Sequence, residues 1–238
     1  MKSYEYSPFD DLTQPLRQIN KYNPSQVRVP EAPLIARPYT LSELTGPVEL
    51  AERWNAGALD LSRVVTNGPR ALGQLIRVSG RVTDEDGSPA AGVVMEIWQA
   101  NAAGKYVHAM DDHIAPLDPN FTGYARVLTD AEGRYRFTTI KPGPYPWGNH
   151  HNAWRPAHIH YSLFGPSFLS RLVTQMYFPG DPLFPFDPIF NSVLDERARN
   201  RMISSFDMNV TEDNWATGYR WDIVLRGGDA TPLETQHV

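Results

Sequence analysis

The chain has 238 residues, of which 41% are hydrophobic and 21% charged, a composition typical of a globular protein that buries a core. Its net charge of -5 argues against a nucleic-acid partner, whose binding surface is basic. The chain contains no cysteine, which excludes disulfides and thiolate metal sites and favours a cytoplasmic location. The N-terminus lacks a secretory signal pattern and no apolar run reaches the roughly 18 residues of a membrane span, so we expect no membrane association.

Residues 1–47 are polar, rich in proline and weakly periodic. They predict an extended N-terminal arm with one short helix, packing on a partner or on the rest of the chain. Residues 48–238 contain no internal repeat, linker or low-complexity tract, so we expect them to form a single domain. A turn of helix is predicted near 49–54.

From Gln74 onward, short runs of apolar and β-branched residues predict strands separated by turns. The Asp, Gly and Pro residues at 84–89 and 130–133 indicate two hairpin turns. A single convincing helix is predicted at 194–206, with acidic residues in its first turn. Many short strands joined by turns are typical of a sandwich or a barrel. The predicted strands are 75–82, 93–98, 124–129, 134–140, 158–164, 172–178 and 219–226.

The strand predicted at 158–164 carries two histidines on one face, since side chains two apart in a strand point the same way. His158 and His160 share that face, and apolar residues alternate with them on the other. Because neutral imidazole suits Zn, Cu, Fe and Ni, the pair makes half of a transition-metal site. The alternative is a solvated strand face, or two histidines hydrogen-bonded to other groups.

Tyr145 lies between Pro144 and Pro146, in the segment PGPYPW at 142–147. Proline fixes φ and lacks an N–H, so this segment is neither a helix interior nor a central strand. We expect an extended loop with little conformational freedom. Such a loop can hold a phenol ring beside the two histidines; the alternative is a proline–aromatic turn that only packs.

The segments KPGPYPW at 141–147 and WRPAHIH at 154–160 resemble the intradiol ring-cleaving dioxygenases. The resemblance extends over about residues 20–228 and implies an all-β fold, a β-sandwich of mostly antiparallel strands with long functional loops and one short helix. The further matching segments are GRV (80–82), DGSP (86–89), WQAN (98–101), APLDPNF (115–121), TQMYF (174–178), GDP (180–182) and DIVLRG (222–227).

The resemblance implies one non-haem Fe(III) per chain, held at the positions that match Tyr106, Tyr145, His158 and His160. Phenolates are hard anionic donors that suit ferric iron, whereas ferrous oxygenases use two histidines and a carboxylate. No carboxylate lies close to the two histidines in the sequence, and tyrosine is not a usual zinc ligand. A tyrosine with a pKa of about 10 must lose its proton to bind, which a trivalent cation favours.

The resemblance also implies roles for neighbouring residues. Arg155 is expected to stabilise charge that develops on the substrate ring, the alternative being a structural salt bridge. Tyr145 is expected to leave the metal when substrate binds. His113, His150 and His151 are not expected to be ligands. The substrate-pocket positions match Tyr22, Trp98, Trp147, Gln175 and Ile189, each of which packing also explains, and Arg28 matches a further position of the arm.

The implied reaction is cleavage of an aromatic diol by O2 to a cis,cis-muconate, in aromatic catabolism through the β-ketoadipate pathway. Protocatechuate (3,4-dihydroxybenzoate) is the expected substrate, with catechol and hydroxyquinol as alternatives. The resemblance implies a related α chain and a hetero-oligomer. A non-catalytic β-sandwich binding subunit is the alternative from another class, and retention of all four ligand positions argues against it.

Overall fold

The computed structural model describes residues 13–16, 18, 19, 22, 23, 25, 32, 60–165 and 171–234. Strands joined by long loops dominate these residues, which confirms the predicted all-β class. The helix predicted near 49–54 and most of the arm predicted at 1–47 lie outside the described residues. None of the helices in the described part of the chain has the length and apolarity needed to cross a membrane.

The elements follow one another in chain order as eleven strands and a helix α1 within the described ranges. They are β1 (Leu75–Thr83), β2 (Val94–Trp98), β3 (Tyr124–Leu128), β4 (Arg134–Ile140), β5 (Tyr145–Pro146), β6 (Trp154–Arg155), β7 (His158–Phe164), β8 (Leu172–Tyr177), α1 (Glu196–Arg201), β9 (Ser205–Phe206), β10 (Thr217–Arg220) and β11 (Ile223–Val224). Two 3₁₀ turns, Phe184–Phe186 and Phe190–Ser192, lie between β8 and α1.

Two sheets form the sandwich. In one, β1 pairs antiparallel with β4 and parallel with β10 and β11, and β9 pairs antiparallel with β10. The other has the order β3-β2-β7-β8 and is antiparallel throughout. Strands β5 and β6 form a separate two-stranded ribbon. The second sheet and this ribbon carry most of the candidate site.

The core lies between the sheets and takes alternate residues from the longer strands of both sheets. Val78 on β1, Ile97 on β2 and Ile159 on β7 are fully buried in one hydrophobic cluster. Tyr161 belongs to the same cluster, and its ring lies 4.8 Å from that of Trp221. Burying a large apolar side chain stabilises the fold by roughly 1.5–3 kcal/mol, so this cluster is the main support of the sandwich.

The strand predicted at 219–226 is in fact two strands. Strand β10 ends at Arg220 and β11 begins at Ile223, and between them side chains replace the backbone ladder: the Tyr135 hydroxyl donates to the Trp221 carbonyl and Asp222 Oδ1 accepts the Arg81 amide. A Cβ on Gly80 would stand 1.7 Å from the Trp221 carbonyl oxygen, so only glycine fits there. The apolar alternation predicted for this region is correct, since Trp221 and Ile223 are both buried.

The helix predicted at 194–206 is shorter than expected. It comprises Glu196–Arg201, and the side chain of Asp195 caps it by accepting a backbone N–H of the first turn. After the helix, the Met202 carbonyl accepts a 2.8 Å hydrogen bond from the amide of Tyr177. Contacts with β8 therefore end the helix. The periodicity of the helix sequence does not predict these contacts, because they are made with a distant strand.

The described residues of the N-terminal segment contact the sandwich. The amide of Leu16 donates to the Ser192 carbonyl at 2.9 Å, and Asn23 Nδ2 donates to the Asn149 carbonyl at 2.8 Å. The segment thus packs on the rest of the chain where it is described. The division of the chain into 1–47 and 48–238 stays a prediction.

Candidate metal centre

Two histidines meet on one face of β7. His158 and His160 are 2% and 8% exposed, and their Nε2 atoms lie 3.1 Å apart. The Nδ1 atom of His158 is 2.7 Å from the Pro156 carbonyl oxygen. The ring of His160 stacks on that of Trp98, its register partner on β2, at 4.8 Å with an interplanar angle of 5°. Both rings are therefore held with Nε2 towards the same space.

Tyr106 is brought to this space by the loop that follows β2. The side-chain oxygen of Asn101 accepts the amides of Ala103 and Lys105 at 2.9 and 3.0 Å, which folds the loop back. Asp111 Oδ2 then accepts the amide of Tyr106 itself at 2.8 Å. Asn101 ends the WQAN segment, so this segment acts by shaping the loop that carries Tyr106.

Tyr145 comes from a second loop that packs directly on the first. Gly104 has a φ of +78°, and a Cβ there would lie 2.2 Å from the Pro144 carbonyl oxygen, so glycine permits the close approach. The Gly143 amide also donates to the Asn101 carbonyl at 2.9 Å. As a result the rings of Tyr106 and Tyr145 meet edge-to-face with centroids 5.3 Å apart.

These four side chains form one group, here called the ligand cluster (Tyr106, Tyr145, His158 and His160). Tyr145 Oη is 3.4 Å from His158 Nε2, and the ring of Tyr106 lies 6.3 Å from that of His160. The buried hydroxyl of Tyr106 has no hydrogen-bond partner among the described residues. A cavity of about 560 Å³ borders the cluster and is lined by Trp98, Trp147 and three of its members.

The protonation of the cluster suits a cation. Burial raises the pKa of Tyr106 well above its ordinary value, and burial also raises the pKa of Tyr145. Burial lowers the pKa of His158 well below its ordinary value, so this imidazole is neutral and keeps a lone pair. A buried phenol without a partner among the described residues, beside the neutral imidazole of His158, fits a highly charged metal, which would supply the charge that a phenolate needs.

The described residues offer no metal site made of His, Cys, Asp and Glu side chains alone. In residues 60–165 and 171–234, together with the described positions of the arm, no group of three or more His, Cys, Asp or Glu side chains is placed to hold a metal. The tyrosines of the ligand cluster are therefore needed to complete a set of four donors. Two phenolates and two imidazoles suit ferric iron better than zinc.

Comparison with known proteins agrees with this chemistry. The model of a dioxygenase family, described as "Dioxygenase", matches residues 45–227. The protocatechuate 3,4-dioxygenase beta chain of Burkholderia cepacia is 56% identical over 213 residues, which is 90% of each chain. This chain belongs to the intradiol dioxygenase family.

More distant relatives carry the same fold. The hydroxyquinol 1,2-dioxygenase of a Rhizobium species is 30% identical over 63% of this dioxygenase and 53% of its own length. The crystal structure of 3-chlorocatechol 1,2-dioxygenase from Rhodococcus opacus aligns with a TM-score of 0.51 at 25% identity, covering 64% of this chain and 60% of that one. Intradiol dioxygenases use non-haem Fe(III), which the ligand cluster fits.

In this dioxygenase, Arg155 lies in a buried network that the sequence did not predict. Its Nη2 donates to Gln175 Oε1 at 2.7 Å, to the Tyr177 hydroxyl at 3.0 Å and to Asp187 Oδ2 at 2.9 Å. Burial works against the charge of Arg155, but Asp187 raises its pKa above the ordinary value. The salt bridge considered from the sequence is thus present, with Asp187 fully buried.

The network leaves part of Arg155 available. Its Nε is buried and has no partner among the described residues. Arg155 is the register partner of Tyr145 in the β5–β6 ribbon, so the two side chains start from one face. Its guanidinium also lies 5.6 Å from the centre of the Trp147 ring. The Nη2 end of the cation is anchored, and the guanidinium lies beside Trp147, which lines the cavity.

The remaining predicted pocket residues are distributed around this core. Tyr22 is half-buried, and its ring lies 5.4 Å from that of Trp147. Ile189 is buried, and its amide donates to Asp187 Oδ1 at 3.0 Å. Arg28 lies outside the described residues. Pocket roles for Tyr22, Trp98, Trp147, Gln175 and Ile189 stay predictions.

The other histidines considered above lie apart from the ligand cluster. His150 and His151 are exposed, and His113 is half-buried. The ring of His113 packs edge-on against Trp154, with centroids 6.2 Å apart, and His150 Nδ1 approaches the backbone carbonyl of His151. A count of histidines alone would not have distinguished them from the pair on β7.

Tyr177 and Asp187 are the functional candidates that the sequence analysis missed. Tyr177 lies in the recognised TQMYF segment, opposite His158 in the register of β7 and β8, so strand pairing would have found it. Asp187 lies in a loop between two 3₁₀ turns, and nothing in its local pattern distinguishes it from a surface carboxylate.

Proposed function

We propose that this dioxygenase is the iron-bearing β chain of a protocatechuate 3,4-dioxygenase. It holds one Fe(III) and cleaves protocatechuate with O2 to 3-carboxy-cis,cis-muconate. The observation that carries the proposal is the ligand cluster. In it the two imidazole Nε2 atoms lie 3.1 Å apart, the Tyr145 hydroxyl is 3.4 Å from one of them, and the buried Tyr106 hydroxyl has no partner among the described residues. The 56% identity over 90% of the chain to a protein of that name supports the substrate. A cytoplasmic location stays a prediction.

In this proposal Tyr106, Tyr145, His158 and His160 are the protein ligands. The chemistry that ferric iron supplies when bound is withdrawal of electron density from a coordinated catecholate, which prepares the ring carbon to react with O2. The chain's residues hold the substrate, receive its protons and stabilise charge. The cavity of about 560 Å³ beside the cluster has room for one aromatic diol.

Tyr145 is the exchangeable ligand in this mechanism. It lies on the two-residue strand β5, outside both sandwich sheets, so it can move without breaking their hydrogen bonds. Its phenolate takes a proton from the incoming diol. Tyr145→Phe is expected to slow substrate binding in stopped-flow absorption while leaving the unfolding transition nearly unchanged. A crystal structure of the catecholate complex with Tyr145 still bound to iron would contradict this role.

Arg155 stabilises the negative charge that develops on the substrate ring. Its Nη2 is occupied by Gln175, Tyr177 and Asp187, whereas its buried Nε–H has no partner among the described residues and can donate to a substrate. A buried, pre-oriented cation stabilises a transition state more than a mobile one, because no reorganisation is needed during the reaction. Arg155 therefore acts on the substrate during the reaction and is not a metal ligand.

The chain is proposed to work with a related α chain. The carboxylate of protocatechuate needs a cation or backbone donors, and Arg155 is already assigned to the ring. The loop that follows Tyr106 exposes apolar side chains beside the cavity, with Val107, Met110 and Ile114 being 63%, 83% and 98% exposed. Such exposed apolar residues favour a protein interface at this edge of the site.

The direct test is to purify the chain alone and together with its α chain. We expect a red protein, because phenolate-to-ferric charge transfer absorbs visible light, with one iron per β chain by elemental analysis. Protocatechuate turnover should require both chains in a hetero-oligomer. Full activity of the chain alone, or preference for catechol or hydroxyquinol, would move the assignment to a single-chain relative. A colourless, iron-free complex would favour a non-catalytic subunit.

A further inference from the structure

The two histidines of the ligand cluster differ in what their outer nitrogens contact. His158 Nδ1 faces the neutral Pro156 carbonyl at 2.7 Å, whereas His160 Nδ1 faces a carboxylate oxygen of Glu234 at 3.0 Å. A neutral imidazole has one N–H and one lone pair, so an acceptor at Nδ1 places the lone pair on Nε2. Both lone pairs then point into the cluster, but only one ring is supported by a negative charge.

Glu234 is held in this position by a short segment near the C-terminus. Its amide donates to the Val173 carbonyl at 2.8 Å, and Thr174 Oγ1 donates to the Pro232 carbonyl at 2.7 Å. The amide of Leu233 donates to the side chain of Gln14 at 2.9 Å. The bonds of Pro232 and Glu234 attach the segment to β8, next to the strand that carries His160, and the bond of Leu233 attaches it to the N-terminal segment.

We propose that Glu234 is a positioning residue for the metal centre: its carboxylate accepts the Nδ1–H of His160 and directs the Nε2 lone pair towards the iron. This inference depends on the proposed function, because it assumes that iron binds the ligand cluster. A carboxylate behind a ligating histidine fixes its tautomer and ring orientation and makes it a stronger donor. The stacked ring of Trp98 fixes the plane of the same imidazole.

Glu234 does not act as a fifth ligand. Its carboxylate meets the Nδ1 edge of His160, while the Nε2 edge faces His158, so the carboxylate lies on the side of the ring remote from the cluster. A carboxylate there cannot share a metal with both Nε2 atoms. This geometry separates the arrangement from a two-histidine-one-carboxylate site.

The test uses the full chain with its α chain and iron as the probe. Glu234→Ala removes the acceptor, and Glu234→Gln keeps an oxygen that can accept Nδ1–H but removes the charge. Glu212→Ala is the matched control, since it removes a half-exposed carboxylate paired with Arg77 in the other half of the sandwich. Three quantities are measured: iron affinity by chelator competition, the visible charge-transfer band, and the melting temperature of the iron-free protein.

We expect Glu234→Ala to weaken iron binding about 10- to 100-fold, as is typical for the outer partner of a ligating histidine, and to shift the visible band. Glu234→Gln should weaken binding less, and Glu212→Ala should match the wild type. The iron-free melting temperatures should stay close together. Unchanged affinity and spectrum in Glu234→Gln and Glu234→Ala would overturn the inference, and if the alanine variant does not fold, the glutamine variant decides. A wild-type protein that binds no iron would refute the proposed function itself.

Discussion

The two faces of β7 are both buried, but they are buried by different means. One face presents Ile159 and Tyr161 to the hydrophobic core, where neither has measurable exposure. The other presents His158 and His160, each of whose Nδ1 atoms meets an oxygen acceptor. The comparison shows that polar side chains can line a buried strand face when other parts of the chain satisfy their hydrogen bonds.

Among the described residues, some polar atoms on and beside the polar face of β7 lack hydrogen-bond partners at the place where a ligand is expected. Several buried polar atoms in the described part of the chain have no partner, and three of them belong to Tyr106, Arg155 and Gln175. A buried polar group without a partner costs roughly 1–3 kcal/mol, so such atoms require an explanation. Tyr106 belongs to the ligand cluster, and Arg155 and Gln175 are the register partners of Tyr145 and His160, so these atoms surround a site prepared for a metal and a polar substrate.

The largest expected effect is on iron binding, when a ligand on the polar face of β7 is removed. His158→Ala removes one of the two nitrogen donors, so iron affinity should fall by more than the ~100-fold upper limit typical of an outer-shell change. Colour and turnover should disappear with the iron. Ser162→Ala, on the same face of β7 but outside the ligand cluster, is the control and should keep both. A His158→Ala protein with full iron content would contradict the assignment of the cluster.

A second prediction separates chemistry from stability at Arg155. Arg155→Ala should keep the iron ligands but lower turnover by about 100-fold or more, because a pre-oriented cation is lost. It also leaves Asp187 buried and unpaired, which should lower the free energy of unfolding by about 3–5 kcal/mol. Both losses are measured, by kinetics and by urea unfolding.

The control for Arg155 is the double variant Arg155→Met with Asp187→Leu. Replacing a buried ion pair by apolar side chains of similar size is often neutral for stability, so the fold should recover. Turnover should stay low. If the double variant is stable and fully active, Arg155 has only a structural role.

The opposite face of β7 should respond in stability alone. Ile159→Ala creates a cavity in the core and should lower the free energy of unfolding by about 2–5 kcal/mol, while Ile159→Val should lower it by about 0.5–1.5 kcal/mol. Iron content and the visible band should remain those of the wild type at temperatures where the protein is folded. Loss of iron from a folded Ile159→Val protein would show that the two faces are coupled.

The smallest effect is expected far from both faces, at the turn after β1. A hydrogen bond from Arg226 lowers the pKa of Asp84 below its ordinary value of 3.8. A carboxyl whose pKa is lower in the folded state stabilises the fold above the unfolded-state pKa, and this contribution is lost as the pH falls through the folded-state pKa. Asp84→Asn should therefore be destabilised at pH 7 and not in strong acid.

The loss of stability in Asp84→Asn should be small, because solvent screens the ion pair with Arg226. Both side chains are partly exposed, so the loss at pH 7 should be about 0.2–1 kcal/mol by urea unfolding. Arg226→Gln should produce a similar loss, and the double variant should lose less than the sum of the two. A deficit that persists unchanged below the pKa of Asp84 would mean that the charge is not its cause.

Strand alternation explains why much of the fold was predictable. The apolar and polar residues of 158–164 assign each side chain to a face regardless of what packs there, and β7 has the predicted bounds. Prediction failed where distant contacts end an element. The helix stops at Arg201 because Met202 bonds to β8, and the last strand divides where Trp221 meets Gly80.

The candidate site shows the same difference between features set by neighbouring residues and features set by distant contacts. By itself the sequence determined that His158 and His160 share a face and that prolines hold Tyr145 in an extended segment, because both properties depend only on neighbouring residues. Only the tertiary structure decided that Asp187 anchors Arg155 and that Glu234, 74 positions away, supports His160. These charged residues reach the site only when separate loops fold against one sheet, so the local sequence pattern does not predict the contacts.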